Sequence, residues 1–126
     1  TAAASARRFE CGSPNMSGIH ALHASIGVLL EVGMGVIEQG VLDNVQYLIN
    51  AFSANESVEI LSETRANRFA GIFTFRKKGT ENADLYEFLV AKGVLCAPRG
   101  GGIRFSPHFH TRKDQLQRVV DYVNGY

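Results

Sequence analysis

Three consecutive glycines, Gly100-Gly101-Gly102, precede a stretch in which Ile103 and Phe105 alternate with Arg104 and Ser106. Glycine takes backbone angles closed to other residues, so this run reads as a flexible loop. Period-two alternation sends Ile103 and Phe105 to one face of a strand and Arg104 and Ser106 to the other. Pro107 has no N–H to give a ladder and stops the strand. The expectation is an arginine held on a stiff strand beside a mobile turn. A guanidinium fixed in that way can grip a carboxylate with two parallel hydrogen bonds.

The rest of the chain supplies elements to pack around that strand. Residues 1–8 read as an extended lead-in with little structure of its own. Phe9-Glu10-Cys11-Gly12-Ser13-Pro14-Asn15 is a turn-forming cluster. From Ser17 the pattern is helical: Ile19, Leu22, Ile26, Leu29 and Leu30 form a stripe, and Ile37, Val41, Val45, Leu48, Ile49 and Phe52 form a second. Gly33 and Gly35 interrupt them, giving either two helices or one long helix bent at the glycines. Either way, the pair is expected to cover one face of a sheet.

Strands are expected at Val58–Leu61 and at Ala70–Arg76, with Phe73 and Phe75 sharing a face of the second. A short helix follows, capped by Asn82 or Thr80, with Leu85, Phe88 and Leu89 inward and Gly93 as its stop. Val94–Ala97 reads as a strand leading into the glycine loop. A last helix begins at Thr111, with Asp114 in a variant of the capping box and a stripe of Leu116, Val119, Val120 and Val123. The fold class is α+β: a small antiparallel or mixed sheet of three to four strands with helices on one face.

Composition removes several classes of function. Thirteen basic and 12 acidic residues leave a formal charge of +1, which gives no electrostatic case for nucleic acid or an anionic membrane. No apolar run approaches the roughly 20 residues that span a bilayer. The two cysteines, Cys11 and Cys96, have no metal or redox spacing. Two reduced thiols in a cytoplasmic protein is the plainer reading, with a disulfide between them as the alternative. The start, Thr-Ala-Ala-Ala-Ser-Ala, has neither an initiating methionine nor a signal-peptide core, so the chain is expected to be a piece of something longer.

Two motifs carry a resemblance. Arg99-Gly100-Gly101-Gly102-Ile103-Arg104-Phe105-Ser106-Pro107-His108-Phe109 resembles the C-terminal signature of the class V aminotransferase family of pyridoxal-phosphate (PLP) enzymes, which includes cysteine desulfurases and isopenicillin-N-epimerase-like proteins. Phe9-Glu10-Cys11-Gly12-Ser13-Pro14-Asn15 resembles the family's Phe-Glu-x-Gly-Thr-Pro-Asn. Where family members commonly carry Tyr-Asn-Thr, this chain has Phe109-His110-Thr111. The resemblance implies that Arg104 binds the α-carboxylate of an amino-acid substrate. It also implies that Gly12 and Ser13 touch the phosphate of PLP bound in the partner subunit of a homodimer. On this reading residues 1–8 lead in from a missing large domain, and 9–126 are one C-terminal small domain. The Schiff-base lysine lies upstream, so the fragment alone is inactive.

Each of these residues also has a plainer reading. Strand arginines are usually solvated or half of a surface ion pair, and Ser13 before Pro14 reads as a helix cap. Arg99 is as well explained by solvent as by a ligand. His20 with His23, and His108 with His110, lack the third ligand a metal needs, so no metal site is expected. His108 is placed to line the Arg104 pocket. Cys96, in an apolar strand only eight residues before Arg104, reads as a buried inert thiol, which disfavours persulfide chemistry. None of Lys77, Lys78, Lys92 and Lys113 is placed in a buried pocket by the patterns. Two rivals remain. One is a free-standing α+β module binding an anionic small molecule through the Gly-rich loop and Arg104. The other is a single-stranded RNA platform of exposed Phe73, Phe75 and Phe105.

Overall fold

Gly33 decides how the helical stretch breaks. Its φ of 90° lies outside the helical range, and the chain forms two helices around it, α1 (Met16–Val32) and α2 (Met34–Ser53). The structure is a computed structural model that describes residues 4–10 and 12–126. Cys11, and with it the alternative of a disulfide to Cys96, lies outside the described residues. The chain divides into two units, Thr1–Met34 and Gly35–Tyr126.

In the first unit a single 3-10 turn occupies Ala6–Phe9, where an extended lead-in was expected. Helix α1 begins where Asn15 accepts a hydrogen bond from the Gly18 N–H at 3.0 Å. The cap is therefore Asn15, not Ser13, because its carbonyl oxygen reaches the third N–H of the first turn. No residue of α1 is buried. Of its apolar stripe, Ile19, Leu22, Ile26 and Leu30 stand 50%, 61%, 44% and 70% exposed.

The second unit holds the sheet. Its strands are β1 (Val58–Ile60), β2 (Phe73–Lys77), β3 (Ala97–Arg99) and β4 (Gly102–Phe105), in the order β1-β2-β4-β3 with every pairing antiparallel. Helix α3 (Asn82–Ala91) lies between β2 and β3 in sequence, and α4 (Lys113–Gly125) ends the chain. One sheet face carries Phe73, Phe75, Ile103 and Phe105. It forms a single core with Val45, Leu48, Ile49 and Phe52 of α2, Leu85 and Leu89 of α3, and Leu116, Val120 and Val123 of α4. Phe52, Phe73 and Phe75 stack with ring centres 4.9–5.9 Å apart. The RNA platform is thereby overturned, since Phe73 and Phe75 are wholly buried and Phe105 is 5% exposed. Burying such rings beneath three helices stabilises more than leaving them wet.

Local signals explain the element ends. Gly93, at φ 77°, follows the Lys92 cap of α3, with its N–H on the Val90 carbonyl and the Val94 N–H on the Leu89 carbonyl. That pair of bonds is a Schellman motif and satisfies carbonyls the helix leaves open. Helix α4 starts at Lys113 instead of Thr111, and Gln115, not Asp114, reaches back to accept from the Arg112 N–H at 2.9 Å. Strand β3 begins at Ala97 instead of Val94. Among the described residues, no single helix is long and apolar enough to cross a membrane.

Candidate functional site

The alternation at Ile103–Phe105 works as the residues predict. Ile103 and Phe105 enter the core, which turns Arg104 to the opposite face of the sheet. Strand β4 is internal, so Arg104 is flanked on both sides, by Thr74 of β2 and by Ala97 of β3. These short neighbours leave the arginine the longest side chain in its row. It is half-buried, and its Nε is fully buried with no hydrogen-bond partner. Among the described residues Arg104 makes no ion pair, whereas Arg76 on β2 is paired with Glu59 of β1 through two hydrogen bonds of 2.9 and 3.0 Å. A buried cationic donor without a partner costs about 1–3 kcal/mol or more.

The glycine run is a tight turn and not the flexible loop expected. Arg99 pairs with Gly102 across a two-residue connection in which Gly100 and Gly101 have φ of 60° and 79°. Two positive φ values match the right-handed twist of a hairpin, and glycine adopts them without strain. Asn82 at the start of α3 donates to the Gly101 carbonyl at 3.0 Å and pins the turn. Gly102 serves close approach: a Cβ there would lie 2.2 Å from the Phe75 oxygen. Arg104 is thus stiffened from its N-terminal side.

A buried asparagine stiffens the other side, and sequence reasoning missed it. Asn44 of α2 is 4% exposed and donates its amide hydrogens to the carbonyls of His108 and Thr111, at 2.9 and 3.0 Å. The same turn is closed by His108 N–H to Thr111 Oγ1 at 3.0 Å and Thr111 N–H to the His108 carbonyl at 2.9 Å. Gly40, one helical turn before Asn44, lets Phe109 pack closely: a Cβ there would lie 3.1 Å from the Phe109 Cβ and 3.3 Å from its Cα. The available signal was a polar residue inside the α2 apolar stripe, next to Val45.

The other candidates fall as follows. Gly12 has φ of 62°, and Ser13 is exposed beside it ahead of α1. Arg99 is exposed and borders a shallow cleft of about 350 Å³ with Asn82, Pro98 and the glycines. A larger cleft of about 410 Å³ is bordered by Ser106, Pro107 and His110 together with residues of α4. Arg104 borders neither cleft. His108 and His110 have rings 5.0 Å apart, and among the described residues no three His, Cys, Asp or Glu side chains gather as a metal site would require. Cys96 is a free, half-buried thiol just before β3, and burial pushes its pKa above the usual 9.0. The lysines are tied down elsewhere. Lys77, Lys78 and Lys113 donate to the carbonyls of Val123, Glu56 and Asp43 at 2.7, 2.8 and 3.4 Å. Lys92 lies over the Phe88 and Tyr122 rings at 5.6 and 5.9 Å.

Comparison with known proteins places this arrangement. The apo structure of a cysteine desulfurase from Thermococcus onnurineus superposes with a TM-score of 0.86, over 95% of this chain and 33% of that one, at 20% identity. That likeness is one of fold. An uncharacterized aminotransferase of Bacillus subtilis, YcbU, is 30% identical over 123 residues, and a probable cysteine desulfurase of Borreliella burgdorferi is 27% identical over 122. Each match takes in 94% of this chain but only 31% and 28% of the relative, so the chain spans about a third of the length of the curated relatives it matches. The model of the class-V aminotransferases matches residues 1–119, and the chain belongs to that family.

Proposed function

We propose that this chain is the substrate-carboxylate-binding part of a PLP-dependent enzyme that acts on an amino acid by transamination, elimination or epimerisation. The observation that carries the reading is the buried, unpartnered Nε of Arg104 on the sheet face opposite the helices. Two rigid supports hold that strand, the hairpin pinned by Asn82 and the turn clamped by Asn44. A guanidinium held in place binds a carboxylate without paying again for its own ordering, and it fixes the α-carbon relative to the cofactor.

The residues present fit part of a PLP site. Arg104 suits the substrate carboxylate, and the Gly12–Ser13 turn offers an exposed hydroxyl for a phosphate oxygen. That turn would serve the cofactor of the partner subunit in a homodimer. PLP, when bound, supplies the electron sink that stabilises negative charge at the substrate α-carbon. The four lysines hydrogen-bond to backbone carbonyls or lie on aromatic rings, which supports a Schiff-base lysine in the remainder of a longer polypeptide. This chain alone would then be inactive. A cytoplasmic setting goes with reading Cys11 and Cys96 as two reduced thiols.

The test uses the full-length parent protein. It should show a lysine-linked PLP absorption band that responds to members of an amino-acid panel. Arg104→Ala should weaken the amino-acid response by roughly 30-fold or more, the scale for removing one partner of a buried charge pair, with PLP loading intact. An unchanged response in the variant would remove Arg104 from the substrate site. A parent that binds anionic small molecules but no PLP would favour the free-standing anion-binding module.

A further inference from the structure

Helix α1 carries one charged residue, Glu31, among 17, and none of its side chains is buried. Six of its large apolar residues, Met16, Ile19, Leu22, Ile26, Val28 and Leu30, are each between 44% and 70% exposed, and Leu29 and Val32 are half-buried. At 100° per residue, Met16, Ile19, Leu22, Ile26 and Leu30 fall on one wide face, and Val28 lies about 180° from the centre of that face. A helix apolar on more than one side is an internal helix of a larger body. Gly18, Ala21, Ala24 and Gly27 add small surfaces that let other backbone approach closely, and a Cβ at Gly27 would meet nothing within 4 Å.

We propose that α1 is an interior helix of the longer protein, enclosed by the part of the polypeptide that the relatives carry outside the matched third. This rests on the reading of the chain as part of a longer class-V enzyme. Three observations select that occupant. The relatives extend over about three times the matched length, which is enough chain to fold around a helix. A second copy meeting α1 across a two-fold axis would cover the wide face and leave Val28 wet. A membrane surface is disfavoured because α1 has no lysine or arginine to hold lipid headgroups.

The test is thiol labelling of the full-length parent, with modified sites identified by peptide mass spectrometry. Leu22→Cys reports the wide face and Val28→Cys the opposite side, with Glu38→Cys, at an exposed position of α2, as the reference. His23→Cys and Ala24→Cys replace the first two if those variants fail to fold. Enclosure predicts that both α1 sites react with maleimide at least about tenfold more slowly in the native protein than after denaturation, while residue 38 reacts at similar rates in both. The protection must persist when the protein is diluted to monomers. Rapid native labelling at both sites would overturn the proposal, as would protection lost on dilution, which assigns the face to a second copy. Protection that appears only on adding phosphatidylglycerol vesicles would overturn it in favour of a lipid surface. The readout needs no cofactor, so a parent that binds PLP with α1 bare fails this inference alone, and one with α1 covered and no PLP fails only the functional reading.

Discussion

The two faces of the four-stranded sheet are built from the same strands and have opposite uses. One is filled by Phe73, Phe75, Ile103 and Phe105 beneath α2, α3 and α4. The other carries the Glu59–Arg76 pair and Arg104 with its orphaned donor. On the first face each side chain gains by leaving water, and removing one opens a cavity. On the second, Arg104 is held at a cost to the fold, a cost that the proposed carboxylate role accounts for. Stability lies on one face, and the proposed carboxylate site lies on the other.

That division can be broken by mutation. The largest effect is expected from Phe75→Ala, which removes the ring stacked on Phe52 and in contact with Phe105. It should cost about 3–5 kcal/mol in denaturant unfolding. Gly102→Ala would push a methyl group against the Phe75 oxygen and part β4 from β2, at about 1–3 kcal/mol or more. Asn44→Ala leaves the carbonyls of His108 and Thr111 without their donor, and about 1–3 kcal/mol should be lost in the same assay. Arg104→Met should leave stability unchanged or raise it by up to about 1–3 kcal/mol, because it deletes the unpartnered donor and keeps most of the stem. Loss of several kcal/mol there would mean that Arg104 serves the fold, and the contrast between the faces would fail.

The smallest effect comes from an exposed pair outside both faces. Arg65 holds the Glu63 carboxylate at 2.5 Å and, with backbone N–H groups, lowers its pKa from 4.5 to about 2. A depressed folded-state pKa contributes stability above 4.5 that is lost as pH falls through about 2. Carbon-detected NMR titration should find a Glu63 midpoint near 2, and Arg65→Ala should return it toward 4.5. With both groups on the surface, water screens the pair, and Arg65→Ala should lower the unfolding midpoint near pH 7 only slightly.

Much of this was legible in the residues. Alternation at Ile103–Phe105 and Phe73–Phe75 placed the right side chains in the core, because strand geometry fixes sidedness within a few residues. The two motifs at either end of the chain named the family that the comparisons support. Less was legible where contacts are distant in sequence. Asn44 meets a turn more than 60 residues away, and nothing local to α2 announces that partner. The stripes of α1 and α2 look alike in sequence, yet α2 buries six residues and α1 none. The glycine run looked mobile because glycine permits motion, and the Asn82 bond that holds it still comes from another element.

The sequence by itself determined the alternation, the helical stripes, the breaks at glycine and the placing of an arginine opposite a core face. Those properties follow from backbone sterics and side-chain period, which act over a few residues. Tertiary structure alone decided the strand order β1-β2-β4-β3, the burial of the Arg104 Nε and the clamp from Asn44. Each of these depends on which surfaces meet once water is excluded, a question of summed packing free energy that local pattern does not answer.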